Sequence, residues 1–322
     1  MSRILVTGGS GFIGTNLIES LRIKGWEICN FDFKRPLNAK HASLFKQGDV
    51  CDSSRLGSVL RDFSPDYVVH LAARTDLDGR TVDDYAANTT GVRNIVEAVR
   101  RQPSVQRILF ASSRYVHETE RQPLTDCDYS PFTPYGESKV KGELIVRQAS
   151  LEIPWSLVRP TSIWGPWFDI PYKGFFVAVR KGVYLHPSGE KLLKSYGYVG
   201  NVVFEIEKLL EAPAELMNAK TFYVADYEPI EIREFGEAIR NAFQAPPIHE
   251  IPLGAMRTLA WAGDTLKKLG MRNPPLTSFR LRNLRMQMVY DLSATETVAG
   301  PLPYSMKEGV DLTVEWMKEA HV

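Results

Sequence analysis

Tyr135 and Lys139 stand four residues apart in Tyr135-Gly136-Glu137-Ser138-Lys139, inside a stretch whose spacing predicts a helix from Tyr135 to Ser150. Residues at i and i+4 share a helix face, so the phenol and the ammonium project the same way. A free phenol has a pKa of about 10, and a nearby positive charge lowers it. Bringing it to neutrality takes about 4 kcal/mol of differential stabilisation. A phenol tuned in this way exchanges a proton with a substrate hydroxyl. Ser113 follows a predicted strand and precedes this helix, where its hydroxyl can hydrogen-bond the reacting oxygen. Ser112, one register step away, is the alternative. A lone Tyr-x-x-x-Lys is more often a plain surface pair, so the rest of the chain has to supply the context.

That context begins at Gly8-Gly9-Ser10-Gly11-Phe12-Ile13-Gly14. Glycines at 8, 11 and 14 lie between a predicted strand and a predicted helix, the setting in which a Gly-x-x-Gly-x-x-Gly pattern has meaning. The first permits a tight turn, the second admits a pyrophosphate to the backbone, and the third lets helix and strand pack closely. Amide groups and partial positive charge at the helix start favour phosphates. Gly8, Gly11, Phe12, Ile13 and Gly14 are therefore expected at a nicotinamide dinucleotide. Asp32 ends the next strand, where a carboxylate binds adenosine ribose hydroxyls and repels a 2′-phosphate, which favours NAD. Lys34 and Arg35 follow at once and keep NADP as the alternative.

Strands are expected at 4–6, 27–31, 67–71, 108–111 and 155–159, with helices at 12–24, 82–101 and 135–150 between them. Such alternation predicts an α/β fold, a Rossmann doubly wound parallel sheet. After Gly165-Pro166 the rhythm changes: Pro166, Pro171, Pro187 and many aromatics mark irregular structure. Helices are then expected at 202–210, 232–243, 254–269, 276–288 and 306–320, with a strand at 221–225. The expected division is a dinucleotide-binding domain over residues 1–165, with 196–226 packing back onto it. A smaller, mainly helical substrate-binding lobe covers 166–322. Hydrophobic residues make up 44% and charged residues 24% of the 322, an ordinary soluble composition. A net charge of +1 gives no global field for nucleic acid or an anionic membrane, and neither is expected as a partner. No apolar run approaches the roughly 20 residues of a membrane span, and no signal-peptide pattern opens the chain. Cys29, Cys51 and Cys127 lack metal-ligand spacing and read as unpaired thiols of a reducing cytoplasm. No metal is expected.

The chain resembles the extended short-chain dehydrogenase/reductases, in their NAD-dependent epimerase/dehydratase group. The likeness rests on TGGSGFIG at Thr7 to Gly14, Gly48-Asp49-Val50, His70-Leu71-Ala72-Ala73, Asn88, Ala111-Ser112-Ser113, the Tyr135–Lys139 motif and Val158-Arg159-Pro160. It continues through Asp291, Gly300-Pro301-Leu302-Pro303, Glu308-Gly309 and Thr313-Val314-Glu315-Trp316. The resemblance implies catalytic roles for Ser113, Tyr135 and Lys139, the last two also touching the cofactor. It implies cofactor contacts at Asp49, Val50, Leu71, Ala72, Ala73, Asn88 and Pro160, with Asp49 at the adenine. Substrate contacts are expected at Arg74, Ser112, Arg114, Ser162 and Lys194, the last where related epimerases place a phosphate-binding arginine. A homodimer is implied through the helix after Val82 (Tyr85, Ala86, Val92, Ile95, Val96 and Val99) and the Tyr135 helix. The alternative is that these stripes pack on their own sheet.

Departures from the family pattern narrow the chemistry. The 4,6-dehydratases of this group carry an acidic pair just after the catalytic serine or threonine, because elimination of water needs an added acid and base. Arg114 and Tyr115 stand there, which argues against a dehydratase. Arg114 also replaces the epimerising cysteine of GDP-fucose synthases. Ser162 replaces a phosphate-contacting asparagine, Tyr196 to Asn201 departs from Tyr-x-His-Val-x-Asp, and His117-Glu118 replaces Tyr-Gly. Arg280, Arg282 and Arg285, near Lys267, Lys268 and Arg272, could clamp a diphosphate, against the blander reading of a solvated basic face. His70 on its buried strand reads as structural, and His186 lies in a loop of the second lobe. Three readings stand. The first is an NAD-dependent nucleotide-sugar epimerase with Tyr135 as acid/base. The second is an NAD(P)-dependent reductase or dehydrogenase of a keto-sugar nucleotide or a steroid- or flavonoid-type alcohol. The third is a non-catalytic dinucleotide sensor.

Overall fold

The computed structural model describes residues 1–118, 123–169, 172–271 and 276–322, so Pro171 and Arg272 lie outside the described residues. The chain divides into two units. The first comprises Met1–Ile163, Gly197–Tyr227 and Asp291–Pro303, and the second Trp164–Tyr196, Glu228–Tyr290 and Tyr304–Val322.

The first unit is built on a seven-stranded sheet. Its strands are β1 (Arg3–Thr7), β2 (Glu27–Asp32), β3 (Phe45–Gln47), β4 (Tyr67–His70), β5 (Arg107–Ala111), β6 (Trp155–Pro160) and the strand Lys220–Val224. They lie in the order Lys220–Val224, β6, β5, β4, β1, β2, β3, every pairing parallel. Helices α1 (Phe12–Ile23), α2 (Ser53–Phe63), α3 (Ala86–Arg100) and α4 (Pro134–Gln148) connect them. A parallel sheet buried on both faces requires continuous apolar strands, and Ile4, Leu5 and Val6 are all fully buried. This is the Rossmann-type α/β architecture. Strand order reverses between β1 and β4, and in such sheets ligands bind beyond the strand C-termini at that reversal.

Asp52 starts α2 by accepting a hydrogen bond from the Arg55 amide at 3.0 Å. That helix, β3 and the helix Ser293–Ala299 fall where the sequence pattern predicts no element. The predicted helix at 82–101 begins instead with a 3-10 turn, Val82–Tyr85, before α3. Tyr85, Val92, Ile95, Val96 and Val99 are all buried. Ile95, Val96 and Val99 share one core with Leu5, Phe31, Val68 and Ile108 of the sheet and Leu56 and Leu60 of α2. Val92, Ile95, Val96 and Val99 of the stripe expected at a dimer seam therefore pack in the core of their own unit, while Ala86 of that stripe is exposed.

The second unit is mainly helical, with Tyr172–Arg180, Ile232–Phe243, Leu253–Lys268, Ser278–Arg285 and Met306–Glu319. The helix expected at 276–288 is shorter because Thr277 caps it, its hydroxyl accepting from the Arg280 amide at 3.2 Å. Among the described residues no helix is long and apolar enough to cross a membrane.

Ile95→Ala is expected to lower unfolding stability by about 2–5 kcal/mol in urea titrations, the cost of a cavity in a packed core. Light scattering should find its oligomeric state equal to that of the parent protein.

Candidate active site

The site forms in the first unit at the C-terminal ends of β1, β4 and β5. Gly8 leaves β1 with φ +73°, and a Cβ there would lie 2.5 Å from the Ala72 amide nitrogen, so the loops after β1 and β4 touch only because the side chain is absent. Gly11 caps α1 and makes no side-chain cap hydrogen bond, and a helix start of this kind favours an anion. Asp32, at the end of β2, accepts from the Ser10 amide at 3.0 Å through Oδ2 and from the Lys34 amide at 2.9 Å through Oδ1. Burial raises its pKa, and these backbone donors work against that rise. A glycine cradle, an uncapped helix start and a positioned carboxylate together fit a dinucleotide. Asp49 is exposed with its carboxylate on the Cys51 amide, Val50 is buried, and Leu71, Ala72, Ala73 and Pro160 are half-buried.

Ser113 lies just beyond β5 and caps the 3-10 turn Arg114–Val116, its Oγ accepting from the Tyr115 amide at 3.2 Å. Thr133 caps α4, accepting from the Gly136 amide at 3.0 Å, and Pro134 opens the helix. At Gly136 a Cβ would stand 2.3 Å from the Tyr115 carbonyl oxygen. The helix start therefore presses directly on the serine turn. That approach brings the Tyr135 phenol close enough to the Ser113 hydroxyl for the serine to favour its ionised form. The rings of Tyr85 and Tyr115 enclose it, with centroids 5.9 and 5.6 Å away. Lys139, one turn on, donates from Nζ to the Ala111 carbonyl at 3.0 Å.

Burial pushes the Tyr135 phenol up to about 12, with the Ser113 hydroxyl opposing it. Burial pulls the Lys139 ammonium down to about 8, with Glu143 opposing it. His70 pairs its Nδ1 with Thr7 Oγ1 at 2.7 Å, and burial lowers it to about 3, so it stays neutral.

Several expected contacts serve other ends. Ser112 donates to Glu143 Oε1 at 2.5 Å. Asn88 accepts from the Arg74 amide at 2.9 Å and donates to the Arg74 carbonyl at 3.0 Å and to Ser138 Oγ at 2.9 Å. It thus ties the loop after β4 to α4. The Arg74 guanidinium pairs with Asp76 at 2.8 Å. Arg114 lies over the Tyr115 ring at 4.3 Å. Ser162 is buried, its Oγ without a hydrogen-bond partner among the described residues. Lys194, in the second unit, is 1% exposed and donates to the carbonyls of Asn283 and Met286. That ammonium holds a helix end and is turned away from solvent. His186, also buried there, pairs with the Tyr184 hydroxyl at 2.9 Å.

The sequence pattern did not single out Glu143. It accepts from Ser112, from Tyr129 at 2.8 Å and from Arg159 Nε and Nη2 at 2.8 and 2.7 Å. Neither member of the Glu143–Arg159 pair is exposed. The signal was present in the spacing, because Tyr135, Lys139 and Glu143 recur at i, i+4 and i+8 along one face.

A parallel sheet with a dinucleotide cradle at its reversal, and a serine–tyrosine–lysine set beside it, defines a Rossmann-fold enzyme of alcohol or carbonyl chemistry. The profile of the NAD dependent epimerase/dehydratase family matches residues 4–224, and the chain belongs to that family. It is 26% identical over 323 residues to an N-acetyl-alpha-D-glucosaminyl-diphospho-ditrans,octacis-undecaprenol 4-epimerase of Escherichia coli O157:H7, covering 97% of this chain and 94% of that one. It is 28% identical over 257 residues to a 3-beta-hydroxysteroid dehydrogenase of Mycolicibacterium neoaurum, covering 74% and 69%. Among solved structures, the Thermus thermophilus UDP-glucose 4-epimerase complex with NAD aligns at a TM-score of 0.72 and 24% identity, over 99% of each chain.

Glu143→Leu is expected to cost about 3–5 kcal/mol of stability by urea titration, since it leaves the Arg159 charge buried and unpaired. The pair also sets an acid limit. The folded Glu143 carboxyl lies below its ordinary value of 4.5, held there by Arg159 against burial. Its stabilisation is therefore complete above the ordinary value and lost as pH falls through the depressed one. The variant should lack that share of acid sensitivity in melts recorded across pH.

Proposed function

We propose that the protein is an NAD-dependent epimerase of a nucleotide-activated sugar, inverting one ring carbon by transient oxidation of its hydroxyl. The observation that carries this reading is the Ser113 hydroxyl acting on the buried Tyr135 phenol, beside Arg114 and Tyr115. A substrate hydroxyl laid against both side chains meets a donor and a proton acceptor, while neither neighbour supplies the acid that elimination of water requires. Tyr135 takes the hydroxyl proton and later returns it to the same oxygen once the ring carbon has turned its other face. Ser113 orients that oxygen. Lys139, lowered to about 8, remains largely protonated at neutral pH and sits one turn away as a fixed positive charge. When bound, the dinucleotide supplies the reversible two-electron step and, in its oxidised form, a positive ring that favours the phenolate. Asp32 supports NAD over NADP by its charge. The E. coli relative supports epimerisation, and its name puts the sugar on undecaprenyl diphosphate, so the carrier here is a diphosphate ester of either kind in the assay.

Mass spectrometry of small molecules released on denaturation is expected to find NAD. Incubation with UDP-, dTDP-, GDP- and CDP-sugars and with a polyprenyl-diphosphate sugar should interconvert epimers of one of them, with no net change in nicotinamide absorbance. Tyr135→Phe should abolish turnover, by at least about 10²-fold for loss of the acid/base, while retaining bound dinucleotide. Lys139→Met should move the acidic limb of activity to higher pH, because removing a positive charge raises the phenol pKa. A second reading, a dehydrogenase, is favoured by the hydroxysteroid dehydrogenase relative. Stoichiometric change in nicotinamide absorbance with a hydroxysteroid would establish it and overturn the first.

A further inference from the structure

The segment from Leu253 to Arg285, in the second unit, takes no part in the chemistry above. Its helices Leu253–Lys268 and Ser278–Arg285 pack on one another through Met256, Ala260 and Leu281. That small core accounts for one face of each. A helix face left in water is ordinarily polar. Here Leu259, Trp261, Leu269 and Phe279 are 47, 69, 79 and 67% exposed. The Ser278 amide donates to Asp264 Oδ1 at 3.2 Å. Trp261 and Lys268 lie at i−3 and i+4 from Asp264, on neighbouring turns of one face. The bond fastens the start of the second helix, where Phe279 stands, to the Asp264 turn of the first, which Trp261 and Lys268 flank.

Cationic side chains stand among these apolar ones. Arg257, Lys267, Lys268, Arg280, Arg282 and Arg285 are all exposed, and Asp264 is the one acidic residue between 253 and 285. Arg285 is balanced by Glu190 at 2.8 Å. The whole chain has a net charge of only +1, so the remainder is net acidic and the positive charge is concentrated here. Average charge hid this segregation in the sequence reading.

We propose that this two-helix face docks on the surface of an anionic lipid bilayer without crossing it. Exposed leucine and aromatic side chains flanked by lysine and arginine suit the boundary between acyl chains and headgroups. There the apolar groups bury, and the long cationic side chains reach back to lipid phosphates. A nucleic acid backbone would match the charges and leave Leu259, Trp261 and Phe279 in water. The inference is independent of the reaction proposed above.

The full-length protein, mixed with vesicles and sedimented, tests it. Binding is expected to vesicles containing phosphatidylglycerol at low salt, weakening as salt screens the charges, and not to phosphatidylcholine alone. Each basic residue near an anionic surface is worth on the order of fivefold in partitioning. The Lys267→Glu/Lys268→Glu variant should accordingly lose at least about tenfold in binding, and Trp261→Ser/Phe279→Ser should lose it to a similar degree. All four side chains are exposed, so thermal midpoints of both variants should match the parent protein. No sedimentation with phosphatidylglycerol vesicles overturns the proposal, as does binding that neither variant alters. A parent protein that is dimeric in light scattering, becomes monomeric in Trp261→Ser/Phe279→Ser and ignores vesicles would also overturn it, assigning the patch to a second copy of the chain.

Discussion

The Glu143 carboxylate, buried against Arg159, fixes both halves of the serine–tyrosine pair. A charge in a protein interior is tolerated only with its bonding capacity filled. Glu143 meets that condition with Ser112, Tyr129 and two nitrogens of Arg159. Arg159 spends its remaining donors on the Asp126 carbonyl, the Tyr223 hydroxyl and His117 Nε2. Arg159 belongs to β6 and Glu143 to α4, so the pair fastens that helix to the sheet. Ser112 immediately precedes Ser113, so the same carboxylate also holds the end of the serine strand. The serine and the tyrosine come from segments far apart in sequence, and one buried anion registers both.

Burial that makes this anchoring strong also sets the protonation state of the site. Tyr135, Lys139 and His70 all lie in surroundings that disfavour charge, and each is shifted toward its neutral form. The site thus holds Tyr135 as a neutral phenol. The Coulomb field that would ionise it is strong in such a medium, so a modest change in nearby charge has a large effect. Tuning is a property of the assembled site and is not set by the pair spacing alone.

The sheet was legible because its strands are short continuous apolar runs between recognisable helices, and a one-residue error at a strand end changes nothing downstream. The glycine loop and the Tyr135–Lys139 spacing were legible because their chemistry depends on near neighbours in sequence. What failed to show was set by contacts distant in sequence. The helix α2 is the exception, since Leu56, Val59, Leu60 and Phe63 recur at helical spacing behind its Asp52 cap. Ser112 and Lys194 were expected at the substrate from their places in the family pattern, whereas both have buried tertiary partners. Exposure of Trp261 and Phe279 is equally invisible in sequence, where aromatic residues at helical spacing read as core.

Asn88 has a consequence for how this chain can vary. Its amide presents an acceptor to the Arg74 backbone nitrogen and donors to the Arg74 carbonyl and Ser138 at once. Ser138 in turn donates to the Tyr135 carbonyl at 2.6 Å. Aspartate would keep the acceptor and lose both donors, leucine would match the shape and lose everything polar, and glutamine would overreach by a methylene. The genetic code offers no synonym for this side chain, so drift at position 88 is closed unless the loop and the helix change with it.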